Sequence, residues 1–305
     1  MNTTATIHLM GENTMTSSSS STSPITVTGG TEDAPHTLTI TGDDTDKLTI
    51  TTSGTRSTGI KSDNEYSHIV ISGGTVTATT SRGSSAAIGG GREGTSGNIT
   101  ISGETVTATT SGSYSAAIGG GREGTSGNIT ISGGTVIATT SNNYSAAIGG
   151  GYMGTSGNIT ISGGMVTATT DAGRSAAIGG GCSGTSGNII ISGGTVTATT
   201  SDTYSTAIGG GYQGTSGNIT ISGGTVKATA ASVYTAAIGG TRYGSCENIL
   251  ITGSGTTVTA TATGDNTSYD IGPGGSEYTC GTVTIDDVAT VQRESGTIRI
   301  YGITD

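Results

Sequence analysis

Isoleucine recurs at positions 71, 101, 131, 161, 191, 221 and 251, thirty residues apart without drift. Valine follows at 76, 106, 136, 166, 196 and 226, and a second isoleucine series runs from 88 to 238 in the same steps. Around these columns apolar and polar residues alternate, as in Ile99-Thr100-Ile101-Ser102 and Thr105-Val106-Thr107-Ala108-Thr109. A two-residue period predicts strands with one buried face. Self-similarity at a fixed period of about 20–50 residues marks a repeat architecture. Three short strands per repeat, joined by glycine-rich corners, predict an all-β, single-stranded parallel β-helix of about ten coils of roughly 30 residues each. Right-handed crossovers are favoured for parallel strands, so a right-handed solenoid is expected.

The whole chain, 1–305, reads as one solenoid: diverged coils over 1–70, regular repeats over 71–250 and irregular coils over 251–305. Near the N-terminus, Ile7 and Leu9, Leu38 and Ile40, then Ile69 and Ile71 keep a spacing close to thirty-one, with Ile25–Val27 and Leu48–Ile50 as further strands. The polar run Ser17 to Ser23 reads as a bulge on the first coil. After Ile251, Val258 is two residues late and Ile271 three, which places insertions at 254–256 and 263–268. Asp286, Asp287, Arg293 and Glu294 mark a charged closing coil, with Ile298 and Ile300 as its last strand.

Composition narrows this picture. With 57 glycines and no Phe or Trp, the inner face must be a thin core of Ile, Val and Ala. The net charge of −10 argues against a nucleic-acid partner. No apolar run is long enough to span a bilayer. The N-terminus lacks the basic and apolar regions of a secretion signal, which leaves open a chain cut from a longer secreted protein or export by another route.

Cys246 lies three residues before Ile249 and Cys280 three before Val283. If those strands are neighbours, the cysteine Cα atoms stand about 4.8 Å apart, a separation a disulfide spans. A Cys246–Cys280 bond is therefore expected, and with it an oxidising compartment. Cys182 sits at a loop tip without a partner. Asn98, Asn128, Asn158, Asn188, Asn218 and Asn248 precede successive isoleucine strands and read as a structural asparagine ladder. The triplet Gly119-Gly120-Gly121 and its counterparts read as positive-φ corners.

Catalytic chemistry finds little support, and no enzyme activity is expected. His8, His36 and His68 lie beside or before diverged strands without Ser or Cys partners. Arg92-Glu93 and Arg122-Glu123 read as solvated surface pairs. No resident cofactor or metal is expected, although Asp43-Asp44-Thr45-Asp46 could hold Ca²⁺ through its carboxylates.

Two outward features could bind. Tyr114, Tyr144, Tyr204 and Tyr234 share one loop-tip column, with Tyr152 and Tyr212 in a second, where the repeats vary most. Such rings can stack on sugars while their hydroxyls form hydrogen bonds. The other feature is a threonine grid: Thr105, Thr107, Thr109, Thr135, Thr139, Thr167, Thr169, Thr195, Thr197 and Thr199, interrupted by Ile137, Met165 and Lys227. Ice-binding solenoids present similar arrays, so ice binding is an alternative reading.

The unit GNITISGGTVTATT…SAAIGGG resembles glycine-rich repeats of secreted and wall-associated proteins of Gram-positive anaerobes, over about residues 69–275. The opening TIHLMGENTMTSSSSSTSPITVTGG is similar to a parallel β-helix carbohydrate-binding domain of such proteins. These resemblances imply an extracellular or cell-surface location. They also imply a non-catalytic adhesin, carbohydrate-binding or spacer role, with polysaccharide or a host-cell glycan as partner and no membrane insertion. A phage tail or spike β-helix shares the architecture and remains a further alternative.

Overall fold

The computed structural model describes residues 3–141, 144–171, 173–264, 268–275 and 278–302. Among these the chain is all-β, a parallel solenoid of about nine turns without a helix. A regular coil has four strand positions rather than the expected three, for example Ile99–Ile101, Thr105–Thr110, Ile118–Gly119 and Thr125–Ser126. The fourth is only two residues long, too short to show an alternation in sequence.

Corresponding strands stack into columns. The isoleucine and threonine columns together make an 18-stranded sheet, because Ile189–Thr200 and Ile219–Ala230 run unbroken through both. The Ile-Gly strands form a 9-stranded sheet and the Thr-Ser strands a 6-stranded one. Register holds to the residue, with Ile99, Thr100 and Ile101 opposite Ile129, Thr130 and Ile131. The two-residue slip at Val258 and the three-residue slip at Ile271 are absorbed in the corners, since these residues still pair with Val226 and Ile238. Part of the second corner, 265–267, lies outside the described residues.

Alternation explains the core. Ile101, Val106, Ala108 and Ile118 are fully buried, while Thr105, Thr107 and Thr109 between them are partly exposed. Each buried isoleucine or valine contributes roughly 1.5–3 kcal/mol, and the next coil repeats the gain.

At the N-terminal end the register departs from the thirty-one-residue spacing. Ala5 and Ile7 pair with Leu38 and Ile40, so the strand is displaced by two. Leu9 passes beyond the strand into the corner, where it is 2% exposed and packs against Gly42 and Gly74. At the other end Ile298–Ile300 is not a strand: Ile300 makes one isolated bridge to Ile271. The last strands are Val283–Ile285 and Thr290–Gln292.

The disulfide forms where the strand register places it, with Cys246 and Cys280 bridged at a Cα separation of 4.7 Å. The asparagine column works through the backbone more than through amide pairs. Oδ1 of Asn98, Asn128, Asn158 and Asn188 each accepts the next asparagine's backbone N–H at 2.9 Å. Amide-to-amide bonds occur only at Asn218–Asn188 and Asn248–Asn218 among the described residues.

His68 heads this ladder: its Nδ1 accepts the Asn98 N–H at 3.0 Å, so the rung needs that nitrogen unprotonated. Burial holds the His68 pKa below its ordinary 6.5. The unfolded chain therefore takes up the proton first as pH falls. The rung's stability is present above about pH 6.5 and is lost as pH drops through the folded-state value. We expect the Asn98 amide resonance to titrate with this acid transition in NMR, and His68→Asn to remove the titration. An Asn98 amide indifferent to pH in the native protein contradicts the rung.

Candidate functional site

The two variable loop tips of successive coils fold against each other and form one strip along the solenoid. Tyr114, Tyr144, Arg174, Tyr204 and Tyr234 occupy one column of the strip. Arg122, Tyr152, Cys182, Tyr212 and Arg242 occupy the other. Backbone bonds fix the match, since Tyr152 N–H donates to the Tyr114 carbonyl at 3.1 Å, Cys182 to Tyr144 at 2.9 Å and Tyr212 to Arg174 at 3.0 Å. Of the variable tip residues, 142, 143 and 172 lie outside the described ones.

The backbone here is costly for such side chains. Tyr114, Tyr144, Arg174, Tyr204 and Tyr234 all adopt left-handed φ, between 55° and 90°. Bulky residues rarely do so, and each costs on the order of 1–3 kcal/mol relative to a relaxed backbone. Glycine would cover the corner without strain.

The tyrosines do not offer free faces in a row. Tyr114 and Tyr144 stack on one another at 5.5 Å and 15°, and Tyr152 tilts against both at 5.1 and 5.5 Å. Tyr204, Tyr212, Tyr243 and Tyr278 continue the chain of rings at 5.4–5.8 Å. The rings therefore pack on one another as well as lining the surface, and the hydroxyls of Tyr144 and Tyr204 accept from arginines of the same strip.

Arginines lie over these rings, and sequence reasoning did not single them out as a set. Arg122 covers Tyr114 and Tyr152, Arg174 covers Tyr144 and Tyr212, and Arg242 covers Tyr204, Tyr234 and Tyr243, at 4.9–5.9 Å. Arg174 also donates to the Tyr144 hydroxyl at 3.0 Å and Arg242 to the Tyr204 hydroxyl at 3.1 Å. The relevant signal is an offset of 38 residues, which separates Arg242 from Tyr204; the thirty-residue period conceals it. Arg122 is ion-paired to Glu123 at 2.9 Å, and Arg92 to Glu93 at 2.8 Å. Among the described residues, neither Arg174 nor Arg242 forms an ion pair with a carboxylate. The strip thus carries two arginines outside any ion pair among the described residues, on a protein of net charge −10.

Cys182 is a free cysteine but not an exposed tip: it is 4% exposed at the floor of the strip. Burial pushes its thiol above the usual range, against smaller opposing effects of Ser183 and Arg174.

Other candidates are placed as follows. The threonine columns are in register, with Thr167 opposite Thr197. Ile137 and Met165 stand exposed on that face, and Lys227 reaches across it to Glu294 in an ion pair. At the acidic turn, Asp46 already accepts the backbone N–H groups of Gly11 at 2.6 Å and Asp43 at 2.8 Å, which also hold its carboxyl pKa down. Its oxygens cap the backbone of this turn. No group of three metal-ligating residues occurs among the described residues. The histidines lie on strands rather than before them: His8 ends Thr3–His8, His36 opens His36–Thr41 and His68 is inside Ser67–Ile71. His36 Nδ1 bonds the Thr28 carbonyl at 2.7 Å.

Six segments, residues 69–92, 99–122, 129–152, 159–182, 189–212 and 219–244, match the family described as Beta helix repeat. No curated protein and no solved structure matches the chain.

Proposed function

Starting from a β-helix repeat protein whose variable residues gather on one strip, we propose that this strip is a non-catalytic binding surface for extended carbohydrate, presented outside the cell as part of an adhesin. The observation that carries the reading is the tyrosine–arginine ladder. It holds bulky side chains in left-handed backbone, and two of its arginines have no carboxylate partner among the described residues.

Phenol hydroxyls and guanidinium groups together suit a polymer of hydroxyls that also carries negative charge. A rod with its contacts repeated along one edge suits a chain rather than a small molecule. The disulfide between Cys246 and Cys280 supports an oxidising location. Ice binding receives less support, because Ile137, Met165 and the Lys227–Glu294 pair break the threonine face.

The test is an immobilised panel of neutral and acidic polysaccharides, probed at low ionic strength with and without Ca²⁺. Acidic polysaccharides are expected to retain the protein and to be recovered unchanged. Arg174→Ala and Arg242→Ala should each weaken retention about tenfold or more, as for one lost charged hydrogen bond of about 1.5–3 kcal/mol. Retention unaffected by both substitutions, or no retention on any polymer, removes the strip as a glycan site and leaves a spacer.

A further inference from the structure

Within the strip, one rung of the aromatic ladder is missing. Tyr152, Cys182 and Tyr212 occupy the same position in three successive coils. The coils are held in sequence there by the Met153 N–H on the Cys182 carbonyl at 2.9 Å and the Ser183 N–H on the Tyr212 carbonyl at 2.8 Å. Where a phenol ring stands above and below, the middle coil has only a thiol. The result is a cavity of about 310 Å³ with Cys182 in its lining, walled by Tyr152, Tyr212 and Tyr144 and flanked by Arg122 and Arg174.

We propose that this notch is a binding site for one aromatic ring bearing a carboxylate, an aryl carboxylate. The proposal stands apart from any binding of a polymer along the strip.

Three observations converge on that ligand. The first is spacing. Coils are about 4.8 Å apart and the stacked rings of successive coils, Tyr114 and Tyr144, stand 5.5 Å apart, so a ring seated over Cys182, beside the Arg174 guanidinium that covers Tyr212 at 5.4 Å, falls inside the 4.5–7 Å preferred by aromatic pairs. The strip's own rings already stand 5.1 to 5.8 Å apart, so the occupant continues an existing arrangement. The second is charge. Two guanidinium groups line the notch, one of them, Arg174, without a carboxylate partner among the described residues. A guanidinium holds a carboxylate by two parallel hydrogen bonds. The third is size. The cavity lies at the small end of the roughly 300–1,000 Å³ occupied by small-molecule sites, with room for one ring and its substituent.

The ring and the charge are separable by experiment. Benzoate and 4-hydroxybenzoate are titrated into the full chain by calorimetry and NMR, beside cyclohexanecarboxylate (same charge, no aromatic face) and benzyl alcohol (aromatic, no charge). Both aryl carboxylates are expected to bind saturably, at least tenfold more tightly than either control. Intermolecular NOEs should connect their ring protons to Tyr152 and Tyr212. Cys182→Tyr restores the missing rung with the residue its two neighbours already carry. That variant should abolish binding while keeping or raising Tm, whereas Cys182→Ala leaves the notch open and should bind as the native protein does. Arg174→Gln should weaken benzoate at least tenfold and leave benzyl alcohol unchanged. Equal affinity for benzoate and cyclohexanecarboxylate overturns the proposal, as does undiminished binding by Cys182→Tyr. Should Cys182→Tyr fail to fold, the NOEs decide on the native protein alone, and their absence overturns the site.

Discussion

Asp270→Ala is expected to unfasten the C-terminal end of the solenoid, at a cost of about 3–5 kcal/mol to that end. Asp270 is fully buried. Its Oδ1 accepts the Ala262 N–H at 2.7 Å, and its Oδ2 accepts the Arg299 N–H at 2.8 Å. Arg293 Nε stands 3.2 Å from the same carboxylate, while the Arg293 guanidinium donates to the Ala262 carbonyl at 2.6 Å. One side chain thus joins the end of the Thr257–Ala262 strand to two segments of the closing turn. Without it, two backbone donors lose their acceptor and a mostly buried guanidinium loses its counter-ion.

Because a solenoid coil touches only its neighbours, the damage should stay local. Hydrogen exchange followed by mass spectrometry is expected to show lost protection over residues 268–302 and native protection from 99 to 221. Asp270→Asn should fall between the two, since it keeps an acceptor but loses the charge. Native protection of the closing turn in Asp270→Ala contradicts this account.

Gly149→Ala is the second substitution with a large expected effect, and its neighbours provide the control. Gly149 has φ +132°, and a Cβ built on it falls 2.1 Å from the Gly179 carbonyl oxygen of the next coil. Backbone strain alone contributes on the order of 1–3 kcal/mol, and relieving the contact requires the two coils to separate. Gly150 has no left-handed φ, and its Cβ would come no closer than 3.3 Å to a neighbouring atom. Gly150→Ala should therefore cost no more than about 1 kcal/mol, within the range of mild single substitutions. Gly151→Ala belongs with Gly149, at 2.3 Å from the Gly121 carbonyl. Chemical denaturation of the three variants should rank them in that way, and equal midpoints for Gly149→Ala and Gly150→Ala refute the distinction. Of the triplet Gly149-Gly150-Gly151, then, one member is required for its φ, another for close approach, and the third by neither. The expectation of positive-φ corners where a Cβ would clash is met in full at Gly149 and in its clash alone at Gly151.

The difference between those triplet members shows where sequence reading stops. A GGG run states that a corner is tight without saying which residue bears the unusual φ, because that depends on the neighbouring coil's carbonyl. Leu9 makes the same point: its spacing from Ile40 suggests a shared strand position, and only the free corner beside Gly42 and Gly74 draws it two residues further on. The Thr125–Ser126 strand was invisible for want of length. His68 reads as an idle histidine until Asn98 is seen bonded to it.

What the sequence determined by itself is everything that the thirty-residue period makes adjacent. Residues one period apart must be neighbours across a strand pair, so the buried isoleucine and valine columns and the asparagine column follow from counting, and the Cys246–Cys280 contact follows from the equal distance of each cysteine to its strand, Ile249 and Val283. Only the tertiary structure decided the tyrosine–arginine strip. Its contacts join two different corners of neighbouring coils, and how far those corners fold towards each other is set by left-handed backbone at the tips. A period fixes what stacks along the axis; it does not fix which loops meet across it.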